Sequence, residues 1–158
     1  MSIPKQIADQ FRKVHFGGNW TGSCLKEQLT NLTWEQATTK VYSFNTIATL
    51  AFHVNYYVEA ALMVLKNQPL NAKDEFSFAH PPFKSQGDWD NFLEKIWSDA
   101  EELAVLIENF PESRLEDIFV KEKYGTYYRN FTGVIEHMHY HLGQIALIRK
   151  MIEQESHL

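Results

Sequence analysis

Glu136-His137-Met138-His139-Tyr140-His141-Leu142-Gly143-Gln144, close to the C-terminus, holds three of the chain's seven histidines inside an amphipathic pattern. Successive residues of an α-helix turn by about 100°, so His137 and His141, four apart, differ by only ~40°. They sit one above the other on a single face, whereas His139 falls roughly 200° from His137 and points the other way. The stretch therefore offers two imidazoles to one metal ion and excludes the third. Gln144 follows His141 by about one turn on the same face. It is a candidate to brace a histidine or to bind substrate, and an ordinary helix-surface amide is an equal reading.

Working outward, the same helix is expected from about Asn130 to Glu155, with Val134, Met138, His141, Ile145 and Ile148 near one side. Three more helices follow from apolar spacing of three and four. Ile3 to about Val14 carries Ile3, Ile7, Phe11 and Val14 and stops before Gly17-Gly18. Asn45 to Lys66 carries Ile47, Leu50, Ala51, Val54, Ala61, Leu62 and Leu65, with Asn45 as its N-cap. Asp88 to about Asn109 carries Phe92, Ile96, Leu103, Leu106 and Ile107, with Asp88 as N-cap and Pro111 beyond its end. Thr33-Trp34-Glu35-Gln36 matches a capping box and opens a short helix. Leu25 to Leu29 offers another helical turn. Lys66 to Gly87, with Pro69, Pro81 and Pro82, reads as a long crossing segment. Val41 to Phe44 and Leu115 to Val120 are the best short-strand candidates, without convincing alternation. The expected fold is an all-α four-helix bundle with long crossover connections, formed by residues 1–158 as one domain.

Composition narrows the classes. With 44% hydrophobic residues, the 158-residue chain can bury a core without disulfides. Its net charge of −5 comes with scattered lysines and arginines and no basic stripe, which argues against a nucleic-acid partner. Cys24 is the only cysteine, so an intramolecular disulfide and a cysteine-based zinc site are excluded, and a packed cysteine is the favoured reading. The first residues, Met1-Ser2-Ile3-Pro4-Lys5-Gln6, contain no apolar run of signal type, and the longest such run, Ala60 to Leu65, is far short of a membrane span. The expectation is a cytoplasmic protein with no membrane partner.

Two histidines need a third ligand. His15 ends the first helix, His80 precedes two prolines in a loop where a surface position is expected, and His157 is next to the C-terminus. His53 lies inside the long apolar helix beside Leu50 and Val54, where a titratable ring needs a partner. His53, His137 and His141 would make an open three-histidine site of catalytic rather than structural type. A hydrogen-bonded core histidine is the competing reading of His53, and spacing leaves both open. Other metal schemes fit worse. The zincin motif needs glutamate directly after the first histidine, where Met138 stands. Glu136-x-x-His139 is one Glu-x-x-His, and a di-iron bundle needs two. Phosphate loops, nucleophile elbows and dinucleotide fingerprints are absent.

The chain resembles the DinB/YfiT-like superfamily. The resemblance rests on Leu50-Ala51-Phe52-His53-Val54, a bundle-length gap, and His137-x-x-x-His141-x-Gly143-Gln144-Ile145. Gly18-Asn19-Trp20-Thr21-Gly22-Ser23 with Leu25 and Leu29, and Tyr124-Gly125-Thr126-Tyr127, add softer matches. It implies an up-down-down-up bundle, often a homodimer, holding zinc or nickel through His53, His137 and His141. It also implies one of three roles. The first is a transferase using a low-molecular-weight thiol such as bacillithiol, mycothiol or glutathione. The second is a metal-dependent hydrolase, in which the ion lowers the pKa of water to about 7. The third is a non-catalytic, metal-stabilised stress-response bundle. Hydrolysis requires a nearby acid or base. Glu136 lies ~100° off the histidine face, and a loop carboxylate, Asp74 or Glu75, is the remaining candidate. Trp20, Tyr57, Trp89, Trp97 and Tyr140 are expected to be mostly core, with some lining a pocket. Tyr56 to Ala60 and Phe76 to Gln86 are expected to shape that pocket.

Overall fold

The computed structural model describes residues 1–155, with side chains to Gln154, so His157 lies outside the described residues. Six α-helices form, with no β-strand among the described residues. They are α1 (Ile3–Phe16), α2 (Leu25–Leu29), α3 (Trp34–Thr38), α4 (Ile47–Leu65), α5 (Gln86–Glu108) and α6 (Tyr127–Glu155). The expected strands resolve into turns. Val41 to Phe44 closes a turn by a Phe44 N–H bond to the Val41 carbonyl, and Leu115 to Val120 makes one isolated bridge, Ile118 to Thr126.

The helix starts show which side chains win as caps. Thr46, not Asn45, caps α4, its hydroxyl accepting the Thr49 N–H. Ser85, not Asp88, caps α5; Ser85 accepts from Asp88 N–H while the Asp88 carboxylate accepts from Lys84 N–H. A cap oxygen reaches the amide two or three residues on, and both sequences offer two eligible residues in one turn. The capping box of Thr33 and Gln36 forms in full. Helix α6 starts at Tyr127, ahead of the expected Asn130, with Thr126 Oγ1 accepting from Arg129 N–H.

The four long helices form a ring in the order α1, α5, α4, α6. Cross-helix pairs fix their directions. Ile3 meets Glu112 just past α5, Arg12 pairs with Glu101 and Glu108, and Phe16 packs on Trp97, so α1 and α5 are antiparallel. Phe52–Phe92, Glu59–Lys95 and Lys66–Glu102 run in step, so α4 and α5 are parallel. Leu50 shares a cleft with Ile148, and Ala61 shares one with Val134, so α4 and α6 are antiparallel. The result is up-down-down-up. A parallel α4–α5 pair cannot be joined by a tight turn. The chain from Lys66 to Ser85 must return along a helix of 19 residues, about 28 Å long, and it runs past the middle of α4.

Phe11, Leu25, Ile47, Trp89, Ile96, Leu103, Phe131, Met138 and Ile145 are among the fully enclosed core side chains, each contributing about 1.5–3 kcal/mol by removal from water. Helix α4 is long and apolar enough to cross a membrane by length and composition, but most of its stripe is buried inside the bundle. It carries His53 and Asn55 inward, as a core helix does.

His15 is also core. Its Nδ1–H donates to the Phe11 carbonyl at 2.9 Å, while Nε2 is buried with no hydrogen-bond partner among the described residues. Burial lowers its pKa to about 4 from 6.5. Between those values the unfolded chain binds the proton that the folded chain refuses, so stability is full above pH 6.5 and falls towards pH 4. The loss from this ring is about 3 kcal/mol. In urea unfolding, wild type should therefore lose about 3 kcal/mol more than His15→Leu as pH drops from 7 to 4; parallel profiles would contradict the assignment.

Candidate metal centre

His53 from α4 and His137 and His141 from α6 meet between the two helices. Their ring centroids form a nearly equilateral triangle, with separations of 4.8 Å, 4.7 Å and 4.6 Å. One nitrogen from each lies within 4.8 Å of the others. His53 and His141 are buried and His137 is half-buried.

Hydrogen bonds set the direction of two rings. The return segment passes a 3-10 turn at Asp74–Phe76 and lays Ser77 and Phe78 over His53. The fully buried Ser77 hydroxyl donates to the Asp74 carbonyl at 2.7 Å, so its oxygen accepts the Nδ1–H of His53 at 2.9 Å. His53 then presents the lone pair of Nε2. Gln144 Oε1 accepts the Nδ1–H of His141 at 2.7 Å, leaving that ring's Nε2 lone pair for the centre. His137 Nε2 lies 3.0 Å from His53 Nε2. With the His53 proton on Nδ1, the hydrogen between them belongs to His137. Ligand nitrogens about 2.0–2.1 Å from a tetrahedral ion are about 3.3 Å apart, close to the separation of these two atoms.

The donor set suits a divalent ion. Burial, followed by the neighbouring imidazoles, lowers the pKa of His137 to about 4. Burial likewise lowers His53 and His141, opposed at His141 by Gln144 and at His53 by Asp74 and Ser77. All three rings are neutral at pH 7, the state in which imidazole is a ligand. Imidazole suits both zinc and nickel.

Phe78 stacks on His53 with centroids 3.9 Å apart, and Tyr57 sets its edge against His53 and His137. Tyr57 donates a short hydrogen bond to the Asp74 carboxylate. Burial and that bond push the Tyr57 pKa to about 12, and the same bond leads the causes holding Asp74 below its usual range. A cleft of about 440 Å³ adjoins the centre through Gln144 and is lined also by Ser43, Asn45, Leu50 and Leu147.

Other expected candidates go elsewhere. His139 is half-buried on another side of α6. His80 is half-buried rather than a free loop residue, bonded to Thr49 Oγ1 at 3.2 Å and to the Pro81 carbonyl at 2.8 Å, and it ties the return segment to α4. Cys24 is buried and caps α2 through a weak sulfur contact to Glu27 N–H. Of the aromatics, Trp89 is core, Trp97 half-buried and Tyr140 exposed with its ring edge near His141. Trp20 is fully exposed on a loop braced by Asn19. Of the two loop carboxylates, Asp74 faces the centre while Glu75 pairs with Lys73 at 3.6 Å. Ser77 and Phe78 were not singled out individually; they fall in the Phe76 to Gln86 segment expected to shape the pocket, with no role given to either.

Removing the Ser77 hydroxyl frees His53 to exchange tautomers. In metal-free Ser77→Ala, ring ¹⁵N shifts of His53 should move from a single Nδ1–H form to a mixture, and zinc affinity should fall roughly 10–100-fold. An unchanged tautomer would contradict the relay.

The sequence profile of the DinB superfamily matches residues 23–144, which include His53, His137, His141 and Gln144. No curated protein and no solved structure matches the chain significantly. The profile covers well over half of the chain, and its match agrees with the helical bundle and the three-histidine cluster described above: the chain belongs to the DinB superfamily.

Proposed function

We propose that this protein is a metal-dependent transferase that joins a low-molecular-weight thiol to an electrophile, with His53, His137 and His141 holding one zinc or nickel ion. The observation that carries the reading is the convergence of neutral imidazole nitrogens, two of them aimed by Ser77 and Gln144. A bound divalent ion would supply what a free thiol of pKa ~8.5 lacks at neutral pH, a stable thiolate. Phe78 and Tyr57 shield the rings from water on the return-segment side. Ser43, Asn45 and Gln144 give the adjoining cleft uncharged hydrogen-bonding groups for the body of the thiol. In the transfer, sulfur bonds to the electrophilic carbon, the carbon–leaving-group bond breaks with its electron pair, and the thiol proton passes to solvent. Cys24 takes no part.

Hydrolysis is the second reading, favoured by the Asp74 carboxylate beside His53 and His137. Its depressed pKa and its bond from Tyr57 make it a weak proton acceptor near neutrality, which supports thiol transfer over hydrolysis.

Zinc- or nickel-loaded protein should conjugate 1-chloro-2,4-dinitrobenzene with at least one thiol from a panel including glutathione and cysteine. Chelation should abolish the rate, and Cys24→Ser should retain it. Equal rates after chelation, or loss with Cys24→Ser, would contradict the proposal. Metal-dependent hydrolysis of 4-nitrophenyl acetate, lost in Asp74→Asn, would instead establish the second reading.

A further inference from the structure

The antiparallel pairing of α4 and α6 leaves free space on both sides of the histidines. On one side lies the wide cleft holding Gln144 and Leu50, one turn before His53. On the other lies a separate pocket of about 170 Å³, whose lining includes Tyr57, Ala60, Ala61, Leu70, Phe119 and Val134. The second space borders the centre through one side chain and is not lined by the histidines themselves. Tyr57 is a wall of both, its ring centroid 4.8 Å from that of His137. Val134 stands one turn before His137 on the same helix. The Tyr57 hydroxyl is anchored on Asp74, which holds the ring as a partition.

The chemistry of the lining is narrow. Among the described residues no charged side chain lines the pocket; Asn130 is its one amide and the rest is aliphatic or aromatic. Room exists because α4 presents alanine at 60 and 61, and the return segment presents alanine at 72. An enclosed apolar cavity of about 150 Å³ takes up benzene; this pocket is partly open and bordered by Tyr124 and Asn130, but its volume likewise suits one ring. We infer that this pocket is a second binding site, the subsite for a ring-sized apolar group of the electrophilic co-substrate. This rests on the thiol-transfer reading in naming the co-substrate, while binding at the pocket is measurable without turnover. A two-substrate reaction then has one space for each reactant, with the histidines between them.

The test uses toluene as the probe on the metal-loaded protein, followed by methyl ¹H–¹³C spectra. Saturable shifts are expected at Ala60, Ala61 and Val134, with little change at Leu147 and Ile148. Ala60→Leu fills the pocket from a half-buried helix position, and Ala72→Leu fills it from the return segment. Each should weaken toluene binding at least tenfold while leaving metal content unchanged. Shifts confined to Leu147 and Ile148, or undiminished binding in both filled variants, would overturn the inference. Metal binding and conjugation are scored separately, so a protein that binds toluene here without conjugating thiols loses the reaction and keeps the site.

Discussion

A histidine inside a helical bundle has two polar ring atoms and nowhere to solvate them, and this constraint organises the centre. His53 satisfies Nδ1 with Ser77 and turns Nε2 towards His137. Leaving a buried polar atom unmatched costs about 1–3 kcal/mol, so the Ser77 contact decides the ring's tautomer and direction. Ser77 is available only because α4 and α5 are parallel. That choice forces the connecting chain back along α4, where its 3-10 turn sets the Asp74 carbonyl to take the Ser77 proton. Fold topology and ligand orientation are thus one problem: a short antiparallel connection would leave the Nδ1 of His53 bare.

Electrostatics points the same way. Burial penalises a charge on each of the three imidazoles, and neighbouring rings add repulsion at His137 and His53. The cluster is kept neutral, which costs acid stability and favours cation binding. His15 provides a contrast within the same molecule. Burial lowers its pKa as it does theirs, yet it packs near Phe11 and Phe16 and joins no metal-type cluster among the described residues. Burial and a depressed pKa do not make a site without convergence.

Much of this was legible in the sequence. The His137–His141 spacing gave the pair because helical periodicity fixes faces, but periodicity left His53 open between a ligand and a hydrogen-bonded core histidine, and the family resemblance made it the third member. The four long helices followed from their apolar stripes. Cap positions were off by one residue at Thr46 and three at Ser85, since neighbouring polar residues compete on local geometry that periodicity does not carry. The individual contacts of Ser77 and Phe78, within a segment expected to shape the pocket, and the orientation of Tyr57 were hidden for a different reason. They depend on where an irregular segment of about twenty residues crosses a helix, a tertiary register with no periodic signature. His80 misled because a proline-flanked loop is usually outside, whereas here the ring packs between Phe52 and Phe83.

The central claim is that His53, His137 and His141 together hold one divalent ion. It is tested most directly by metal analysis and X-ray absorption on untagged protein loaded with zinc or nickel, alongside His53→Ala. About one ion per chain, scattering from three imidazoles, and loss of the ion in the variant are expected. An ion bound without imidazole scattering, or retained with the same coordination in His53→Ala, would contradict the account.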